Sequence, residues 1–164
     1  MAERIAYCKV HHPGAYYASY LSVRGDGFDI EEALVSPAQL RKRIQEINKM
    51  EKKGRASKES LAKCLELVLE MKLRGLDFAP IDLMLSAASN FLVLDDKTLR
   101  PPLDVIGGFG TKAAESLIDA REEGPFKTQE DLLKRTAIGN RGLELLLNHG
   151  CLSALPERDQ PALC

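Results

Sequence analysis

The segment 105-VIGGFGTKAAESLI-118 places three glycines within four residues, directly ahead of an alanine-rich run with helical spacing. Gly108 and Gly110 flank a single apolar residue, Phe109. Glycine adopts left-handed torsions that a side chain obstructs, so this pattern predicts a tight turn whose apolar residue points inward. The helix that follows presents unpaired N–H groups and the positive end of its dipole, and a phosphate fits such a place.

A cation and two small residues follow this predicted turn. Lys112 stands in the first turn of the helix, where it adds a full positive charge, and the next two alanines are small enough for close helix packing. This arrangement is typical of the helix-hairpin-helix, which binds the DNA backbone without regard to base sequence. We therefore predict a DNA-binding site formed by Gly108, Phe109, Gly110, Thr111 and Lys112.

An imperfect second copy strengthens this interpretation. The segment 109-FGTKAAESLI-118 aligns without a gap with 138-IGNRGLELLL-147, and the alignment pairs glycine with glycine and lysine with arginine. The first glycine of the motif is replaced by alanine in the second copy, so we expect a less regular turn there. Asn140 is expected to cap the second helix. Gly139, Asn140 and Arg141 complete the predicted DNA-binding set.

A different reading of residues 103–152 is a small helical bundle whose glycines only permit close packing. A pure packing role does not require a cation two residues after each turn. The charge of the region is an objection to DNA binding, because residues 100–155 carry seven bases and eight acids. A near-neutral unit binds phosphates weakly on its own, which favours a module that assists a larger DNA-binding protein.

The part of the chain before the glycine cluster is predicted to be mostly helical. Apolar spacing indicates a helical piece over 3–24, interrupted near Pro13, which cannot donate within a helix interior. Ser36 opens a helix with a capping box, and that helix is expected to end near Gly54. A further helix is predicted over 58–74.

A short β-hairpin and two prolines separate these helices from the glycine cluster. Residues 91–99, FLVLDDKTL, predict the hairpin, with Asp95-Asp96 in its turn. Thr128 and Asp131 predict a capping box between the two copies. The fold class is therefore mostly α with one small β element. The predicted domains are a helical part over 1–75, a linker with the hairpin over 76–100, the tandem helix-hairpin-helix over 101–155 and a tail over 156–164.

Composition excludes several classes of protein. The 164 residues carry a formal net charge of −1, and 45% of them are hydrophobic, which is enough for a core but provides no overall basic field. Four scattered cysteines and no secretory signal indicate the reduced cytoplasm, near the nucleoid if DNA is bound. No apolar run approaches the thickness of a bilayer, so no membrane partner is expected.

Six segments, taken in order along nearly the whole chain, resemble one family. They are 4-RIAYCKVHHPGAYYASYLSVR-24, 41-RKRIQEIN-48, 66-ELVLEMKLRGLDF-78, 91-FLVLDDKTLRPPLDVIGGFGTKAAESLIDAREEGPF-126, 130-EDLLKR-135 and 149-HGCLSALP-156. They resemble the PolC-type alpha subunit of bacterial DNA polymerase III, a family C replicative polymerase. The resemblance implies that residues 1–75 are a remnant of the polymerase fingers and that 101–155 bind duplex DNA. It also implies the remainder of the polymerase and the sliding clamp as partners.

The resemblance does not extend to the catalytic residues. Phosphoryl transfer in this family uses palm-domain carboxylates that hold two metal ions, and these lie upstream of anything present here. No Asp-x-Asp pair occurs in the chain, and Asp95-Asp96 is better interpreted as a turn. We expect a fragment that does not polymerise DNA alone and that holds no cofactor or metal.

Three further features allow alternative interpretations. The basic run over 41–58 is either a solvated helix face or a contact with duplex phosphates. Cys8, His11 and His12 do not form a convincing zinc site, because no second ligand pair stands nearby. The tail places Gln160 and Leu163 at the positions of a clamp-binding peptide, but its other apolar anchors are altered, so a weak clamp contact and a disordered tail are both compatible with it.

Two other functions remain open beside DNA binding within a replicative polymerase. One is a protein-interaction fragment that docks to the parent polymerase or to the clamp. The other is a helix-hairpin-helix DNA repair enzyme of the glycosylase type, with Asp131 as its catalytic carboxylate. The place of Asp131 in a capping box argues against the last.

Overall fold

The computed structural model describes residues 2–24, 28–50 and 52–157, without the side chains of residues 24 and 52–57. The predicted clamp-binding residues Gln160 and Leu163 lie outside this part of the chain. The fold is mostly α, as predicted, with one small sheet. The chain divides into two compact units, Met1–Pro80 with Asn90–Pro101 and Ile81–Ser89 with Pro102–Cys164.

The described residues of the first unit form five helices and a small sheet. Its helices are α1 (Ala2–His11), α2 (Pro13–Arg24), α3 (Ile30–Ala33), α4 (Pro37–Lys49) and α5 (Lys52–Leu73). The predicted interruption near Pro13 is confirmed, since α1 ends at His11 and α2 begins at Pro13. The core is formed by large fully buried side chains, among them Tyr17, Leu21, Leu40, Ile47, Leu65, Met71 and Leu99.

The start of α4 is confirmed, but its predicted end is wrong. The Ser36 hydroxyl accepts from Gln39 N, and the Gln39 side chain accepts from Ser36 N, which is a complete capping box. The helix stops at Lys49, and Gly54 lies inside α5, which begins six residues before its predicted start. Glycine costs a helix only about 1 kcal/mol, so a long apolar stripe outweighs it.

The sheet has one strand more than predicted. Strands β2 (Leu92–Asp95) and β3 (Thr98–Arg100) form the expected antiparallel hairpin, and β1 (Asp77–Phe78) pairs with β3 in parallel, giving the order β1-β3-β2. Strand β1 was not predicted, because two residues are too few to show the alternation of apolar and polar residues that marks a strand. The Asp95 carboxylate accepts from Lys97 N at 2.8 Å, and this backbone bond together with Thr98 lowers the pKa of Asp95. This carboxylate belongs to the turn.

The second unit contains the glycine cluster. A single 3-10 turn over Leu103–Val105 precedes α6 (Thr111–Glu122), and α7 (Gln129–Arg135) and α8 (Gly139–Asn148) follow. The helix-hairpin-helix pattern implies a helix on each side of the turn, but before the first glycine turn the structure has only this 3-10 turn. The core of the second unit includes Leu83, Leu103, Ile106, Phe109, Leu117, Leu132, Ile138, Leu146 and Leu152. Residues 81–89, predicted as part of a linker over 76–100, belong to this unit, while β1 to β3 belong to the first.

Candidate nucleic-acid interface

The first turn, residues 107–110, has the backbone that its glycines predict. Gly108 and Gly110 take φ of +83° and +77°, a region that L side chains rarely adopt. Phe109 between them is 5% exposed and packs in the core of the second unit. Its amide donates to Ile106 O at 2.9 Å. The turn is thus anchored by one buried ring, while both flanking glycines are exposed.

Helix α6 begins directly after this turn and has an open N-terminus. Its N-cap residue is Gly110, which has no side chain to cap it. The amides of Thr111, Lys112 and Ala113 have no acceptor within the described chain, and the first bonded amide is Ala114 N, at 3.2 Å from Gly110 O. Thr111 and Lys112 are exposed. The free first-turn amides therefore face solvent, and the Asp104 carboxylate lies beside them, where it accepts a hydrogen bond from Thr111 Oγ1 at 3.4 Å.

The second turn, residues 137–139, repeats this design with less regular geometry. Ile138 is 8% exposed and takes the place of Phe109, and Gly139 has φ of +62°. Helix α8 begins at Gly139, and its N-cap Ile138 provides no side-chain hydrogen bond. The prediction that Asn140 caps this helix is wrong. Ile138 already has right-handed helical torsions, so Asn140 lies inside the first turn, where it is exposed with Arg141.

In the same unit, helix α7 has a closed N-terminus, which means that amides of its first turn have hydrogen-bond acceptors within the chain. Thr128 Oγ1 accepts from Asp131 N at 3.1 Å, and Gln129 N donates to Pro156 O at 3.0 Å. The predicted Thr128 cap is confirmed. The Asp131 carboxylate, however, accepts from Lys127 N and not from Thr128 N, which a complete capping box would use. That backbone bond, with Arg135, lowers the pKa of Asp131. Of the three α-helices described in this unit, only α6 and α8 keep open N-termini.

Three contacts hold the two turns side by side. Ser116 of α6 accepts a hydrogen bond from Ala137 N of the second turn at 2.8 Å. Gly142 of α8 is buried, and a Cβ added there would lie 3.5 Å from Phe109 Cε2 of the first turn. A Cβ added at Gly108 would lie 3.5 Å from Nη2 of Arg141. Sequence reasoning missed Ser116 and Gly142, although the spacing of Gly142 four residues after Ile138 is a signal for close packing.

The cations of the second unit fall into two groups. Arg121 and Arg135 serve the fold: Arg121 donates to Ser86 O at 2.7 Å, and Arg135 donates to Gly124 O at 3.0 Å and stacks on Phe126 at 4.9 Å. The exposed Lys112 and Arg141, like Lys127 and Lys134, form no ion pair within the described chain. Both predicted cations at the turns are therefore available to an anion.

The other candidate residues differ in their surroundings, and Arg41, Lys42 and Lys49 of the basic run are exposed. Arg43 of the basic run pairs with Glu32 at 2.8 Å and with Glu46 at 3.6 Å. His11 stacks against Tyr7 with ring centroids 4.3 Å apart. No cluster of potential metal ligands occurs among the residues described, and none of their helices is long and apolar enough to cross a bilayer.

Comparison with known proteins identifies this second unit. Residues 75–161 match the family model described as helix-hairpin-helix motif, which covers more than half of the chain. The chain belongs to the helix-hairpin-helix motif family. The two turns of the second unit, each followed by an open helix, lie within the matched residues.

The similarity to known proteins extends over nearly the whole chain. The chain is 45% identical to a DNA polymerase III PolC-type protein of Halalkalibacterium halodurans, 43% to one of Bacillus subtilis and 42% to one of Oceanobacillus iheyensis. Each alignment covers 99% of this chain and 11% of the relative, so the chain spans about one ninth of the length of these proteins. The resemblance to PolC-type polymerase III predicted from the sequence is confirmed.

Proposed function

We propose that the chain binds duplex DNA through its phosphates, without base specificity, as the helix-hairpin-helix part of a PolC-type replicative polymerase. The observation that carries this proposal is the pair of open helix N-termini. In α6 and α8 an inward apolar residue anchors the turn, the first helical amides are free, and an exposed cation stands nearby. Helix α7 of the same unit differs from α6 and α8, because its first amides donate to acceptors of the chain itself.

The chemistry of the interface matches phosphate oxygens rather than base edges. Backbone amides and helix dipoles position a protein on the duplex but carry no sequence information. Two cations and two sets of amides form a small contact, so the affinity is modest and depends on salt. Residues Gly108, Phe109, Gly110, Thr111, Lys112, Gly139, Asn140 and Arg141 form the proposed site, in which Phe109 acts by anchoring the turn.

Duplex binding as a function of salt tests this proposal. Fluorescence anisotropy with duplexes of unrelated sequence should give one affinity that falls as salt rises. Lys112→Ala and Arg141→Ala should each weaken binding and reduce the salt slope by about one. Lys134→Ala is the matched control, because it removes an exposed cation from the capped α7. Equal losses in all three variants, or no loss in any, would contradict the proposed site.

We further propose that the chain has no polymerase activity of its own. The chain contains no Asp-x-Asp pair, and its Asp95 carboxylate is committed to a hairpin turn. The alternative assignment of Asp131 as a glycosylase carboxylate is disfavoured, because that group accepts from Lys127 N and pairs with Arg135. Primer extension and assays on damaged duplex should both show no product above a no-protein control.

A protein-docking role is a second candidate, and it rests on α1. No residue of α1 is buried, and Ile5, Tyr7 and Val10 are 56%, 58% and 66% exposed. This apolar surface supports contact with the remainder of a polymerase. The sliding clamp remains a proposed partner for Gln160 and Leu163. Deleting residues 160–164 should reduce clamp binding and leave duplex binding unchanged; equal clamp affinity after deletion would remove this part of the proposal.

A further inference from the structure

We propose that Arg141 of the second hairpin serves the first: its guanidinium and the amides of the first turn bind the same phosphate. The proposal rests on the proposed function and deepens it. Alignment of the two copies pairs Arg141 with Lys112, which implies that each cation serves its own turn. The geometry points to a different division, in which the Arg141 guanidinium lies beside Gly108 of the first turn.

The position of the Arg141 side chain carries the proposal. Its Nη2 lies 3.5 Å from the point that a Cβ on Gly108 would occupy, so the side chain extends from α8 across the exposed surface of the first turn. The same added Cβ would lie 3.8 Å from Leu145 Cδ1, one helical turn further along α8. The first turn therefore packs directly on the face of α8 that carries Arg141.

This juxtaposition is held by buried contacts. Phe109, at the centre of the first turn, is buried beside α8 at Gly142, where an added Cβ would lie 3.5 Å from Phe109 Cε2. The bond from Ala137 N to Ser116 Oγ ties the second turn to α6. Both contacts position the start of α8, and with it Arg141, beside Gly108. The packed unit thus fixes the position of the α8 backbone at Arg141, from which the exposed side chain reaches Gly108.

The guanidinium is chemically suited to complete a phosphate site there. Arg141 forms no ion pair in the described chain, although Glu144 stands three residues along the same helix. A guanidinium offers a planar set of N–H donors that binds two phosphate oxygens at once, in contrast to the point charge of lysine. The amides of Thr111 and Lys112, which have no acceptor within the described chain, supply the other donors.

Titration with inorganic phosphate tests the assignment on the full chain labelled with 15N, at constant ionic strength. Free phosphate occupies each turn separately, so amide shifts report two midpoints. In Arg141→Ala the midpoint for Thr111 and Lys112 should rise about threefold to tenfold, the loss of one hydrogen bond of ordinary net strength at an exposed site, while that of Asn140 stays within about twofold. Arg141→Lys should restore part of the loss.

Two outcomes separate this inference from the proposed function. A rise confined to Asn140, or no change at either turn, overturns the assignment of Arg141 and leaves phosphate binding intact. The absence of any saturable shift at both turns in the unmodified chain overturns the assignment and also the amide basis of the proposed function. Lys134→Ala, measured in parallel, should change neither midpoint.

A double-mutant cycle with duplex DNA provides an independent readout. Valine at Gly110 or Gly139 strains a positive-φ backbone and disrupts one turn at a time. In the Gly139→Val background, Arg141→Ala should weaken duplex binding by as much as it does in the unmodified chain. In the Gly110→Val background the loss should be less than about twofold, because the first turn, with which Arg141 is coupled, is already disrupted. The reverse order, or equal losses in both backgrounds, overturns the proposal. Amide spectra confirm that each variant is folded.

Discussion

The buried Gly142 decides how closely the second turn packs on the helix that follows it. A Cβ there would lie 2.9 Å from Ile138 Cβ, which is too close, and 3.5 Å from Phe109 Cε2, which is an ordinary contact distance. The first of these neighbours belongs to the start of its own helix, where the backbone cannot yield without moving the second turn. Glycine at this position is therefore a packing requirement, and it differs in kind from the turn glycines with positive φ.

Replacing this glycine should destabilise the second unit. Gly142→Ala gains helix propensity of up to about 1 kcal/mol, but the overlap with Ile138 should cost more, about 1–3 kcal/mol. The expected net result is a lower melting temperature. Asn140→Ala is the matched control in the same helix, and it should stay within about 0.5 kcal/mol because Asn140 is exposed and caps nothing. A Gly142→Ala variant as stable as the parent would contradict this packing account.

At the scale of elements, α1 is held by polar contacts rather than by burial. Lys9 Nζ lies 2.8 Å from the Glu70 carboxylate of α5, and Tyr17 Oη donates to the same carboxylate at 3.0 Å. Arg74 Nη1 donates to Lys9 O at 3.0 Å. Burial raises the pKa of Tyr17, and the contact with Glu70 raises it further. Glu70 thus connects three helices while the apolar side chains of α1 remain exposed.

This arrangement predicts that α1 detaches in acid. Burial acts to raise the pKa of Glu70, but the bonds from Lys9 and Tyr17 outweigh it, and the net pKa is lowered. A lowered pKa means that the contact stabilises fully above the unfolded glutamate value, about 4.3, and is lost as pH falls through the folded value. Amide shifts of residues 2–11 should move toward coil values below about pH 4.

The variant that tests this titration is Glu70→Gln. It should show weakened α1 contacts already at neutral pH and no acid step, because its side chain does not titrate. Glu66→Gln is the control on the same helix; Glu66 is exposed, and the acid step should persist. If the acid step survives in Glu70→Gln, a group other than Glu70 causes the step, and this account of α1 is wrong.

At the scale of the whole molecule, the chain crosses between its two units more than once. Residues 81–89 leave the first unit, pack in the second and return to form β2 and β3. Within the second unit this segment is tied to α6, because Arg121 Nη1 donates to Ser86 O at 2.7 Å and to Leu83 O at 3.3 Å. The amides of Leu103 and Asp104 add bonds to Ala87 O and Ala88 O.

Arg121 is therefore expected to stabilise the second unit. Arg121→Met keeps the apolar stem but removes the donors from two backbone carbonyls, and it should lower the free energy of unfolding by about 1.5–3 kcal/mol. Amide exchange within α6 is the appropriate measurement, because a chain of two units need not unfold in one step. Lys134→Met, at an exposed position, is the control. Equal protection of α6 in both variants would contradict this role.

Features encoded within a few residues were predictable, and features that depend on distant packing were not. The Ser36 capping box, the interruption at Pro13 and the left-handed glycines of both turns are local, and all are observed. The cap at Asn140 and the helix end at Gly54 were predicted wrongly, since both rules describe a preference of about 1 kcal/mol that helix packing readily overrides.

The sequence by itself determined the two glycine turns, the helices after them and the kinship with PolC-type polymerases, because torsional freedom, caps and motif order are read along the chain. Only the tertiary structure decided which groups stand together across it. It placed Arg141 beside Gly108, Phe109 on Gly142 and residues 81–89 in the second unit. Such contacts join residues far apart in sequence, and they follow from how the helices fill one core.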